Sequence, residues 1–197
     1  MGFYYFSGKS LSMKSITCML LFVLATFATA AQDVFSNKTN ATLKKVIEDY
    51  PNHFNNIKGD RISGRAEETD FKSKVEVPGA INCVVVESGS RKDAYSWKCE
   101  LFASSDFEQA KSRFSELYKE IHNTIIKIEG ERPFILNGKY ELPDIDRKTT
   151  SVPFQLLPST ANMRQLKVEL LLEHTADWKI TLCVFDRDGQ NDMASDQ

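Results

Sequence analysis

The chain has 197 residues, of which 42% are hydrophobic and 26% are charged; 25 basic and 27 acidic residues give a formal net charge of −2. This apolar fraction, with 13 phenylalanines, is typical of a packed globular core and excludes a disordered chain. The basic residues form no run. Because nucleic-acid binding requires clustered lysine and arginine, we expect no nucleic-acid partner.

The first 31 residues are interpreted as a secretory signal peptide. Lys14 precedes the apolar run ITCMLLFVLATFATA, and a basic flank, a short apolar core and a small-residue end are the parts of such a signal. A transmembrane anchor is the alternative, but it typically needs about 20 apolar residues. Removing 31 of the 197 residues leaves 166. We predict that residues 32–197 form one soluble α+β domain, secreted or periplasmic, with no membrane contact after signal cleavage.

The spacing of apolar residues predicts two helices. In TLKKVIEDY, Leu43 and Ile47 recur at helical spacing, and Pro51 ends the helix. A longer helix is predicted over residues 104–128, with Ser105 and Glu108 as a capping box. Its apolar face comprises Phe107, Ala110, Phe114, Leu117, Tyr118, Ile121, Ile125 and Ile128.

Six segments rich in β-formers predict an antiparallel sheet of about six strands with the two helices on one face. These segments are FKSKVEVP, INCVVVE, YSWKCELFA, VPFQLLP, LKVELLLE and WKITLCVFD. The charged, glycine-containing segment KGDRISGRAEETD is predicted to be a loop. In FILNGKYEL, Asn137-Gly138 predicts a tight hairpin turn.

Two stretches suggest an internal repeat of a helix–strand–strand–strand unit. KVEVPGAIN resembles FQLLPSTAN, with Pro78 matching Pro158 and Asn82 matching Asn162. SWKCELF likewise resembles DWKITLC. The repeat would cover residues 40–103 and 105–186, approximately. Because the identities are few, chance similarity is the alternative.

Cys83 and Cys99 are equally distant from Arg91, so a hairpin closed around Arg91 places them opposite each other. Opposed residues of antiparallel strands come close enough for a disulfide, and an exported chain meets an oxidising compartment. We predict a Cys83–Cys99 disulfide; the alternative is two buried free thiols. The spacing fits neither a zinc site nor a redox motif. Cys183 is predicted to be a buried odd thiol.

Two groups of carboxylates are candidates for a calcium site or an acid–base pair. Asp186, Asp188 and Asp192 are spaced partly like a calcium loop, but the glycine falls at the fourth position and no glutamate follows. A solvated tail is therefore the preferred interpretation. Asp144 and Asp146 lie in a predicted loop, and the sequence alone does not place them as an acid–base pair.

The histidines, His53, His122 and His174, fall in separate elements, and the chain contains none of the common motifs of hydrolases, phosphate-binding loops or zinc proteases. No catalytic, cofactor-binding or metal-ligating residue is therefore assigned. Trp97 and Trp178 are interpreted as core residues, with ligand stacking as the alternative. Two sequons are present. Their asparagines are Asn37 and Asn40, and they are glycosylation acceptors in a eukaryotic source.

The combined pattern predicts an exported, non-catalytic binding domain that uses the open face of its sheet. Its ligand, an unknown protein or small molecule, is not identified by any motif. A small secreted hydrolase-type enzyme, with a site assembled from dispersed residues, is the alternative. A homodimer formed through the same open face is a further expectation.

Overall fold

The computed structural model describes residues 33–64, 68–89 and 94–186. The predicted signal peptide, residues 1–31, lies outside these ranges, as do Asp188 and Asp192 of the predicted acidic tail. The described ranges contain two α-helices and nine β-strands. Neither helix in these ranges has the length and apolarity that a membrane crossing requires.

The helices are α1 (Asp33–Asp49) and α2 (Phe107–Ile121). The buried face of α2 follows the predicted spacing, but its ends differ from the prediction. Asp106, not Ser105, caps α2, because its carboxylate accepts hydrogen bonds from two backbone N–H groups of the first turn. The helix stops well before residue 128, since Asn123 adopts a left-handed conformation with φ 63°.

A tight turn that is organised by Asp49 follows α1. The Asp49 side chain is buried and accepts hydrogen bonds from the backbone N–H of Asn56 at 3.0 Å and of Ile57 at 3.2 Å. It also accepts hydrogen bonds from the amide groups of Asn52 at 3.2 Å and Asn56 at 2.7 Å. A charged acceptor thus satisfies donors that would otherwise be unpaired between α1 and the first strand.

Asp49→Ala is expected to lower the free energy of unfolding by about 2 kcal/mol, because part-buried and buried donors lose their acceptor. The same turn holds His53 and Phe54 at φ 55° and 58°, a conformation that non-glycine residues rarely adopt. Urea denaturation measures the effect. The control is Glu48→Ala, which removes only a partly exposed ion pair with Lys44 and should cost less than about 0.5 kcal/mol. Equal losses in both variants would contradict this role of Asp49.

The strands form one antiparallel sheet in the order β1-β2-β3-β4-β9-β8-β7-β6-β5. Their bounds are β1 (Lys58–Gly64), β2 (Glu68–Ser73), β3 (Asn82–Ser88), β4 (Tyr95–Ser104), β5 (Ile125–Ile126), β6 (Phe134–Gly138), β7 (Thr149–Leu157), β8 (Leu166–His174) and β9 (Trp178–Asp186). The predicted α+β class with an antiparallel sheet is confirmed. The strand number is nine rather than about six.

Part of the additional strand count comes from β1, which lies in the segment predicted to be a loop. β1 is an edge strand, so Asp60 and Arg61 are exposed and its sequence carries no apolar alternation; Lys58, at its start, lies over the rings of Phe71 and Tyr95. Gly59 allows close pairing with β2, because a Cβ at this position would lie 2.7 Å from the carbonyl oxygen of Lys72. Gly59 therefore permits close contact between two strands. The sequence predicts a loop there because glycine is common in loops.

The hairpin turn predicted at Asn137-Gly138 is wrong. Both residues lie in β6, where Asn137 pairs with Gln155 and Gly138 pairs with Phe154. A Cβ on Gly138 would lie 2.8 Å from the Phe154 ring, so glycine is required by the close approach of β7 rather than by a turn. The chain leaves the sheet only after this residue.

The hydrophobic core lies between the helices and one face of the sheet. Buried residues of both helices belong to one cluster with alternate residues of the strands, including Trp97, Leu170 and Leu182. Since side chains alternate along a strand, the intervening residues project from the opposite face. We call that opposite face, which neither α1 nor α2 covers, the outer face.

The sheet consists of two antiparallel meanders that meet in the middle. The first meander, β1 to β4, follows α1, and the second, β5 to β9, follows α2. Their last strands, β4 and β9, pair antiparallel, with Glu100 opposite Thr181. A bulge after Glu100 turns both Leu101 and Phe102 toward the core.

Candidate functional site

Cys83 and Cys99 are opposite residues of β3 and β4 and lie at disulfide distance, with their Cα atoms 4.0 Å apart. Both are buried in the hydrophobic core, and Cys83 lies on the same face of β3 as Val85. The predicted opposition of the two residues is confirmed. Their position inside the core fits a structural role rather than an exposed reactive pair.

Cys183 lies on the outer face of β9 and is buried. Burial raises the pKa of its thiol to about 12, although the charge of nearby Lys98 acts in the opposite direction. The thiol is therefore protonated at neutral pH and is a poor nucleophile.

The structure does not bring the three histidines together. His53 lies in the turn after α1 and packs against Tyr95 at a centroid distance of 5.2 Å. His122 is the C-cap of α2 and stacks on Tyr118. His174 ends β8. Acid–base chemistry that needs two neighbouring imidazoles therefore has no site among the described side chains.

The acidic candidates are also dispersed. Asp144 and Asp146 lie in an exposed loop, where the Asp144 carboxylate accepts a hydrogen bond from the backbone N–H of Asp146. Asp186 accepts a hydrogen bond from the Tyr50 hydroxyl at 2.9 Å. Within the described ranges, no group of three or more potential metal ligands occurs. Asp186, the described member of the acidic group interpreted as a solvated tail, thus contributes to a contact between β9 and the turn after α1.

The tryptophans and the second sequon contribute to packing. Trp97 and Trp178 are both buried in the core. Asn40 lies in α1, where its side-chain oxygen accepts a hydrogen bond from the Thr124 hydroxyl at 3.0 Å; the Thr42 hydroxyl donates to a backbone carbonyl in the segment before β3. The Asn37 side chain is outside the described side chains. Glycosylation of these asparagines stays a prediction.

Three large apolar side chains form an exposed row on the outer face. Ile125 of β5 is opposite Ile135 of β6, and Ile135 is opposite Leu157 of β7. Their exposed fractions are 58%, 42% and 43%, respectively. We call these three residues the apolar row. Contiguous exposed apolar side chains are typical of binding surfaces.

Two grooves flank β7 beside the apolar row. The first, of about 670 Å³, lies where the chain leaves β6 and is lined by residues 137–142 and alternate residues of β7. The second, of about 320 Å³, lies between the end of β7 and the start of β8. It opens where the β7–β8 pairing ends, at Phe154 and Val168. Because Pro153, Gln155 and Leu157 line both grooves, we call the combined depression the β7 trough.

The β7 trough combines apolar and amide groups. Asn137 and Gln155 are opposite each other, and both are exposed. Each side-chain amide offers two donors and an acceptor, which can pair with a peptide backbone. Leu142 extends the apolar surface from the loop after β6 and is 65% exposed. This arrangement offers apolar and hydrogen-bonding contacts side by side.

The charged residues that line the trough are Lys139, Glu141, Arg164 and Lys167. Glu141 accepts a hydrogen bond from Arg147 at 2.7 Å, so its charge is balanced within the loop. The remaining lining charges are positive.

The apolar row is not evident from the sequence, because the apolar spacing predicts Ile125 on the buried face of a longer α2 and Asn137 in a turn. One signal was present in β7. Its alternation puts Leu157 on the same face as Ser151 and Gln155, so an apolar residue lies on the polar side of the strand. An apolar residue on the polar side of a strand, such as Leu157, indicates a candidate contact surface.

No protein-family model, no curated protein and no solved structure matches this chain. The apolar row and the β7 trough are therefore the features of this chain that bear on its function.

Proposed function

We propose that this chain is an exported, non-catalytic binding protein that holds an extended segment of a partner protein on the outer face of its sheet. The contact comprises the apolar row and the β7 trough. The observation that carries the proposal is the alignment of Ile125, Ile135 and Leu157 across three neighbouring strands. These residues leave apolar surface in water at one margin of the sheet.

The dimensions of the trough support a peptide ligand. Binding pockets usually have volumes of about 300–1,000 Å³, and the larger groove, at about 670 Å³, lies in this range. The groove is open along β7, so a chain can pass through it. Asn137 and Gln155 provide backbone partners, and Leu142 and Leu157 provide apolar contacts for alternate side chains of an extended segment.

Export is supported by the apolar leader with its small-residue end and by two cysteines at disulfide distance. An internal duplication is also part of the proposal. Each helix precedes an antiparallel meander, and the strands that carry Trp97 and Trp178 are the two that pair in the middle of the sheet. In a duplicated fold, the apolar row is a specialisation of the second unit.

Leu157→Asp is expected to weaken peptide binding at least tenfold, because loss of a buried leucine contact costs about 1.5–3 kcal/mol. The probe is a set of heptapeptides selected on the wild-type protein from a displayed random library, and fluorescence anisotropy measures each Kd. Ile81→Asp is the matched control, since Ile81 is likewise exposed, at 58% against 43% for Leu157, but precedes β3 in the other meander. It should leave the Kd unchanged.

Equal losses in Leu157→Asp and Ile81→Asp, or failure of the library to yield any specific peptide, would contradict the proposal. Sedimentation velocity on the same variants tests the homodimer. A wild-type dimer that Leu157→Asp converts to a monomer would show that a second copy covers the apolar row, which also contradicts a peptide site there.

A further inference from the structure

We propose that the partner segment is acidic, with carboxylates on both sides of a short apolar stretch. This inference rests on the proposed function and specifies its ligand. It arises from the distribution of charge around the β7 trough.

Positive charge is located at two flanks of the trough. Lys139 follows β6 and lines the first groove, whereas Arg164 precedes β8 and lines the second. Both side chains are exposed. The one acidic lining residue, Glu141, is paired with Arg147 at 2.7 Å. A ligand that spans the two grooves therefore meets a positively charged side chain in each of them, Lys139 in the first and Arg164 in the second.

The centre of the outer face is charged in a balanced way. Lys179 of β9 is opposite Glu173 of β8 and lies 3.6 Å from the Glu100 carboxylate of β4. Glu169 of β8 accepts a hydrogen bond from the hydroxyl of Ser151, which lines the trough. Lys179 in the central strands thus has acidic neighbours, whereas among the described residues neither Lys139 nor Arg164 forms an ion pair.

The geometry also sets the spacing of the acidic groups. β6 and β8 are two strand spacings apart, about 10 Å, which an extended peptide spans in about three residues. Along β7, the distance from Pro153 to Leu157 is four residue steps, or about 13 Å. Because these two distances are perpendicular, the two flanks are about 16 Å apart, or roughly five residues of an extended peptide. Carboxylates four or five residues apart, with leucine or valine between them, would contact Lys139 and Arg164 while the apolar residues lie on Leu157.

The test uses three nonapeptides that share an apolar centre and carry glutamate, glutamine or lysine at positions 3 and 7. Fluorescence anisotropy should show that the acidic peptide binds at least tenfold more tightly than the lysine peptide, and that added salt reduces this difference. The double variant Lys139→Glu/Arg164→Glu should reverse the preference. Lys72→Glu, at an exposed lysine of β2, is the matched control and should preserve it.

The outcomes separate this inference from the proposed function. If all three peptides bind equally and Leu157→Asp abolishes the binding of each, the trough binds peptides but the acidic preference is wrong. If none binds, and the displayed library also yields no specific peptide, both proposals fail. Binding to anionic lipid vesicles but to no peptide would likewise overturn the inference, because the positive flanks would then serve a membrane surface.

Discussion

Trp97→Ala is expected to lower the free energy of unfolding by about 4 kcal/mol, the largest effect among the substitutions considered. Trp97 is fully buried in β4, and its removal leaves a large cavity where the helices meet the sheet. Its indole Nε1 donates a hydrogen bond to the buried Ser73 hydroxyl at 3.0 Å. That hydroxyl in turn donates to the carbonyl of Val75 at 2.6 Å. The substitution therefore also deprives the Ser73 hydroxyl of the indole donor.

Urea denaturation followed by circular dichroism measures the loss of stability. Two controls separate the contribution of packing from that of the hydrogen bond. Trp97→Phe keeps most of the volume but leaves Ser73 without its indole donor, and should cost about 1–3 kcal/mol. Ser73→Ala keeps the indole in place but removes its acceptor, together with the two hydrogen bonds between the Ser73 hydroxyl and the backbone of Val75. If Trp97→Ala costs no more than Ser73→Ala, the contribution of packing at Trp97 would be disproved.

Removing the disulfide predicted between Cys83 and Cys99 is expected to lower the free energy of unfolding by about 3 kcal/mol, because the bond closes a loop of about 15 residues in the unfolded chain. The two cysteines are 16 positions apart in sequence. The double variant Cys83→Ala/Cys99→Ala should therefore unfold at lower urea concentration than the wild-type protein. Reductant should destabilise the wild type and leave the double variant unchanged.

Mass spectrometry of the exported protein tests the bond itself. Reduction should increase the intact mass by two hydrogen atoms. Cys183→Ala should show the same increase, because Cys183 is a separate buried thiol. An unchanged mass, with the thiols of Cys83 and Cys99 both open to alkylation after denaturation without reductant, would disprove the disulfide.

The parts of the fold that the sequence predicts are those in which local patterns and burial agree. The segments that form β3, β4, β8 and β9 are predicted from their β-forming residues, and the equal distance of Cys83 and Cys99 from Arg91 predicts the register of the β3–β4 pair. The buried face of α2 was predicted from its helical spacing. In these elements each residue's neighbours along the chain determine its environment.

The candidate site could not be predicted in this way, because it depends on pairing between distant segments. Ile125 continues the apolar spacing of α2 and becomes exposed only because the backbone of Asn123 and Thr124 pairs with Leu136 instead of extending the helix. Gly138 lies in a turn motif, but the ring of Phe154 decides its role. Tertiary contacts therefore override local preference where the apolar row forms.

The pairing of β4 with β9 has a consequence for biosynthesis. β4 is complete at Ser104, whereas its neighbour β9 ends at Asp186, about 80 residues later. At roughly 5–20 residues per second, a ribosome needs about 4–16 s to make that stretch. During this interval the nascent first meander ends in an unsatisfied strand that can pair with a strand of another chain. We expect chaperones to be needed most in this window, and truncated translation products to aggregate more readily than the full-length chain.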